Sequence, residues 1–106
     1  MTRDELLAEH RSLSDRARQL MELKNRDYGT SSDPFRNFRW FGRAGILVRL
    51  SDKLARLRTF EERGLLNVRS ESVEDTVLDI LNYAVLYFGM YIEECSPAVD
   101  NPPESR

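Results

Sequence analysis

The stretch Glu71-Ser-Val-Glu-Asp-Thr-Val-Leu-Asp-Ile-Leu-Asn-Tyr-Ala84 decides how this chain folds. Stepping by four, four and three residues, Glu71, Asp75, Asp79 and Asn82 fall on one face of a helix. Val73, Val77, Ile80, Leu81, Ala84 and Phe88 fall on the other side. From Val77 to Ile92 the only strongly polar side chains are Asp79 and Asn82, with tyrosine hydroxyls adding polar tips. A helix apolar nearly all round is expected to be buried, in the domain or in an oligomer. Carboxylates four residues apart repel each other, and one facing an interior needs a base, a proton or a metal as partner. Two readings compete. Ser70 or Ser72 caps the helix, Ser72-x-x-Asp75 forms a capping box, and the first-turn acids complement the helix dipole. Alternatively the acidic face is functional, which is the reading that also accounts for Asp79, about two turns in.

Working outward, charge is distributed in blocks. Arg36, Arg39, Arg43, Arg49, Lys53, Arg56 and Arg58 precede the acidic helix, with Asp52 the sole acid among them. Glu71 to Asp79 then holds acids and no base. Such blocks either pair across a helix interface or suit an anionic ligand carrying its own divalent cation. The formal net charge of -2 makes no general case for nucleic acid. At 106 residues the chain is one small domain that gains from oligomerisation, and 41% hydrophobic with 32% charged residues suits a soluble helical protein. One cysteine, Cys95, excludes an internal disulfide framework and fits a reducing compartment. With neither a signal peptide nor a membrane-length apolar run, the expected location is cytoplasmic and no membrane partner is expected.

Thr2-Arg-Asp-Glu5 reads as a capping box opening a first helix that carries an apolar stripe and ends before Lys24. Gly29 and Pro34 bracket a loop, followed by Phe35-Arg-Asn-Phe-Arg-Trp-Phe-Gly-Arg43, where aromatics alternate with arginines. These aromatics either plug one end of a bundle or stack on a base while arginines reach phosphate. A second helix is expected from about Ala44 to Glu62, with Ile46, Leu47, Leu50, Leu54 and Leu57 facing the core. Arg49, Asp52, Lys53 and Arg56 share its opposite face, and Arg63-Gly64 is a C-cap. The third helix spans about Glu71 to Glu94, and residues 96–106 read as a disordered tail after a single domain over 1–95. The expected fold is all-α, a small bundle of three main helices with the first and third hairpinned around the second, assembling as a dimer or tetramer.

Lys24-Asn-Arg-Asp-Tyr-Gly29, Asp33-Pro-Phe-Arg-Asn-Phe38, Arg49-Leu-Ser-Asp-Lys-Leu-Ala-Arg-Leu57 and Glu71 to Ala84 resemble the phage nucleotide-modification-associated domain family, from about Lys24 to Phe88. More remotely the chain is similar to the MazG-like all-α nucleoside triphosphate pyrophosphohydrolases. That resemblance implies magnesium (or manganese) held by acids on facing helices, here Asp52, Glu71, Asp75 and Asp79. It implies water activated by the metal or by Glu71 or Glu74, and attack giving a nucleoside monophosphate and pyrophosphate. Arg49, Lys53 and Arg56 neutralise the polyphosphate; Lys24 joins them as a binding residue. Tyr28, Phe35 or Trp40 packs on the base, and Asn82 bonds it or orients a carboxylate. The chain departs from the superfamily's acidic motifs in two places. Aligned on Asp75, Ser72 stands where a glutamate belongs, and the first motif, Glu-x-x-Glu, is met only by Asp52 with Ala55 three residues on.

Three functions follow. The leading one is a magnesium-dependent pyrophosphohydrolase of phage type acting on a nucleoside triphosphate. The alternative, favoured by the basic second helix and incomplete first motif, is a non-catalytic phage protein that sequesters a nucleotide or nucleotide-derived defence signal. A third, a helical interaction or nucleic-acid-binding module, leaves the acidic face without a purpose, so nucleic acid is not an expected partner.

Overall fold

The computed structural model describes residues 1–28, 33–64 and 70–96, without the side chains of 25–28, 70 and 71. It consists of helices α1 (Arg3–Tyr28), α2 (Gly42–Arg63) and α3 (Ser70–Cys95), with a short 3₁₀ turn at Arg36–Phe38. There is no strand among the described residues, and none of the helices is long and apolar enough to cross a membrane. The tail expected from Ser96 lies, beyond Ser96 itself, outside the described residues.

The first helix starts as its sequence dictates. The Glu5 backbone N–H donates to the Thr2 hydroxyl at 3.1 Å, and Asp4 and Glu5 in the first turn complement the helix dipole. Its end differs from expectation: α1 continues through Lys24 to Tyr28. None of those last residues is Gly or Pro, so propensity does not stop the helix. An ion pair from Lys24 to Asp79 also draws that turn onto α3.

The second helix buries Ile46 completely, with Leu50, Lys53, Leu57 and Phe60 half-buried along the same stripe. Those positions step by four, three, four and three residues, the period of one helical face. Leu47 and Leu54, expected in the core, face outward. Lys53, expected on the polar face, turns inward because a carboxylate on α3 waits there. Gly64, at φ 85°, ends the helix by donating its N–H to the Glu61 carbonyl at 3.2 Å, as the Arg63-Gly64 pair predicts.

The third helix begins at Ser70, so Ser72 lies inside it. The Ser72 carbonyl accepts from the buried Thr76 hydroxyl at 2.8 Å, and the capping box expected at Ser72-x-x-Asp75 is not formed. Antiparallel packing of α2 on α3 follows from two pairs, Lys53–Asp79 at mid-helix and Arg43–Glu94 at the end. The first helix also lies on α3 and hardly touches α2. The central helix is therefore α3, not α2 as expected. Only α3 is apolar on more than one side, so only it can receive two neighbours.

Ala17, Ile46, Leu78 and Met90 are the buried apolar residues among the described ones, and of these Ile46 alone is wholly removed from water. The radius of gyration is 16.7 Å, against about 13 Å for a compact domain of roughly this length. Val85, Phe88, Tyr91 and Ile92 of α3 remain exposed.

Candidate functional site

The centre of charge in the fold is Asp79. Its two carboxylate oxygens face two different lysines, Lys53 at 2.9 Å and Lys24 at 3.6 Å. The Asp79 side chain is 20% exposed and that of Lys53 24%, while Lys24 is 54% exposed and opens onto solvent. One carboxylate between two ammonium groups leaves an excess of positive charge. Each ammonium has three donors, so each can hold Asp79 and still donate to a ligand.

Asp79 and Lys24 border a cleft of about 300 Å³, with Lys53 behind Asp79. Helix α3 supplies Asp79, Asn82, Tyr83 and Leu86. Met21 and Lys24 come from α1, Arg49 from α2, and Asn37 and Phe38 from the 3₁₀ turn. The α3 residues step by three, four and seven from Asp79, one helical face. Asn82 ties the α3 wall to α1 by donating its amide to the Ala17 carbonyl at 3.0 Å. Phe38 meets Tyr83 edge to face at 6.5 Å, and the Arg49 guanidinium lies 5.7 Å from the Phe38 ring centre.

Beside the cleft runs a larger groove of about 510 Å³, mostly apolar, between the 3₁₀ turn and α2. Phe41, Ala44, Gly45 and Val48 line it, with Asp52 as its carboxylate. Asn37, Phe38 and Arg49 border both hollows.

Of the residues singled out from sequence, Lys24, Arg49, Asp79 and Asn82 meet in the cleft, and Lys53 reaches it through Asp79. Others lie elsewhere. Glu74 pairs with Arg16, Asp75 is exposed, and Asp52 faces the neighbouring groove. Arg56 stacks over Phe60, and Trp40, 90% exposed, borders neither hollow. Phe35 packs under Arg39 and against Gly89. The side chains of Tyr28 and Glu71 lie outside the described residues. Among the described residues no three His, Cys, Asp or Glu side chains come together to hold a metal ion. Both Asp79 oxygens, moreover, face lysines rather than other acids. The described residues thus do not by themselves fit a magnesium ion.

Asn37 and Tyr83 are cleft residues that the sequence reading missed, while Phe38 entered it only as one of the aromatics that plug the bundle or stack on a base. Tyr83 carried a signal, since it stands four residues after Asp79 on the same face. Asn37 carried none, because its place depends on how the 3₁₀ turn docks. That docking is held by Arg39, which donates to Asp33 and to Glu93, each at 2.7 Å. Hydrogen bonding to Arg39 holds the Asp33 carboxyl below its ordinary range, and the same bonds to Glu93 and Asp33 raise Arg39. A second clamp joins Arg43 to Glu94 at 2.9 Å, with Arg43 also over the Tyr87 and Tyr91 rings; the Glu94 bond raises its pKa.

Fold and cleft together define a small all-α protein with a lysine- and arginine-lined hollow between its three helices. Residues 24–88 match the family described as nucleotide modification associated domain 1, and the chain belongs to that family. The match spans every cleft residue named above except Met21. No curated protein and no solved structure matches the chain.

Proposed function

We propose that this protein binds a nucleotide polyphosphate in the cleft, with Lys53, Lys24 and Arg49 as its phosphate contacts. The observation that carries the reading is the pair of lysines held on one carboxylate with Arg49 alongside. Asp79 keeps two flexible ammonium groups close together that would otherwise repel, and so lowers the ordering cost of gripping an anion. The cations around the cleft exceed its single carboxylate, so a polyphosphate restores neutrality. Membership of a nucleotide-modification-associated family makes a nucleotide the natural source of that anion. In this reading the ligand is held intact and without a metal, as in sequestration.

A second reading, magnesium- or manganese-dependent pyrophosphohydrolysis, is favoured by the spacing of Glu71, Asp75 and Asp79, one turn apart along α3. A panel of nucleoside triphosphates, with magnesium or with EDTA, separates the two by thermal shift and chromatography. Stabilisation in EDTA with the nucleotide recovered intact is the expected result. Pyrophosphate release that needs magnesium and disappears in Asp75→Asn would establish hydrolysis instead.

A further inference from the structure

Two hollows meet at one wall. The cleft and the apolar groove share Asn37, Phe38 and Arg49, so a ligand whose phosphates occupy the cleft extends naturally into the groove. At about 510 Å³ the groove is of the size that takes small organic ligands. Phe41 and Val48 on its sides are largely exposed, and such apolar walls suit the faces of an aromatic ring.

The groove's one carboxylate, Asp52, sets the ring's identity. A carboxylate presents two adjacent acceptors and no donor. Guanine alone among the standard bases offers two N–H donors side by side, from N1 and its exocyclic amine. Adenine and cytosine place a ring acceptor beside their amino group, and uracil and thymine flank their N–H with carbonyls. Each of these sets a lone pair against a carboxylate oxygen. We infer that the groove holds the base of the same nucleotide and selects guanine through Asp52. The phosphates then run past Arg49 to Lys53 and Lys24. This inference rests on the polyphosphate reading of the cleft.

Titration calorimetry with GTP, ATP, XTP and inorganic tripolyphosphate tests it on the native protein and on Asp52→Asn. Native protein should bind GTP at least about ten-fold more tightly than ATP or XTP, the order expected for hydrogen bonds to a charged group. Asp52→Asn should lose GTP affinity by a similar factor and gain XTP affinity, since the amide supplies a donor to the xanthine 2-carbonyl. That gain also shows the variant to be folded. Equal affinities for the three nucleotides, or an unchanged GTP-to-XTP ratio in the variant, would overturn the assignment. Tripolyphosphate binding to native protein without base selectivity would overturn the groove and leave the cleft. No binding by any of the four probes would overturn both.

Discussion

Lys53 and Lys24 hold the same carboxylate from different depths, and the difference sets what each is worth. Asp79 and Lys53 are mostly withdrawn from water and 2.9 Å apart, whereas Lys24 is half exposed and 3.6 Å away. Removing Lys53 leaves a largely buried carboxylate with one distant partner. Lys53→Met should therefore destabilise the free protein by about 1–3 kcal/mol in urea denaturation. Lys24→Met should cost less than about 1 kcal/mol, because a solvated pair is screened. Equal costs would mean that Asp79 is more open to water than its geometry indicates. Gly45 provides a second residue-scale test. A Cβ there would come within 2.7 Å of the Phe41 Cβ, an atom too near its backbone to swing aside. Alanine in a helix ordinarily gains up to about 1 kcal/mol over glycine. Here the close approach should reverse the sign, and Gly45→Ala should melt at a lower temperature. A rise in melting temperature would show that Phe41 relaxes freely.

At the scale of elements, residues 33–41 are pinned to α3 by Arg39, which bridges Asp33 and Glu93. The Asp33 carboxyl titrates lower in the folded protein than in the unfolded chain. Its contribution is thus complete above the unfolded value of about 3.9 and is lost as pH falls through the lower folded value. Trp40, the chain's only tryptophan, follows Arg39 directly and reports on this segment. Its fluorescence should change as the solution is acidified below about pH 4, in the range of carboxylate titration. Asp33→Asn should already show the changed signal at neutral pH. An identical acid transition in the variant would assign it to other carboxylates. The three helices were legible in the sequence because apolar periodicity marks them and Gly64 stops the second. The inward turn of Lys53 was not, since a lysine at a core position reads as polar until its partner is known. Nor was the central place of α3. Its two apolar sides promised burial, but pattern alone does not say whether α1 and α2 or another copy cover them. The cleft was half legible: spacing identified Asp79 and Asn82, the basic block held Arg49, and the family resemblance brought in Lys24. Asn37 and Phe38 depend on the docking of a 3₁₀ turn that carries no periodicity.

At the scale of the molecule, few apolar residues of the described chain are buried. Val85, Phe88 and Ile92 form an exposed ridge at spacings of three and four along α3, with Tyr91 beside it. Covering that ridge with a second copy is the expected means of completing the core. Sedimentation at micromolar concentration should show a dimer or tetramer, and Phe88→Glu should shift it toward monomer. A native monomer would require another partner for the ridge. The claim on which the functional account turns is that three cations around Asp79 grip a polyphosphate without a metal. Its most direct test is calorimetric titration of a nucleoside triphosphate panel in EDTA, on native protein and Lys53→Gln. Binding that persists in EDTA and weakens at least about ten-fold in the variant is the predicted result, the order expected for a lost charge-assisted hydrogen bond. Binding that appears only with magnesium, or that ignores Lys53, would contradict it.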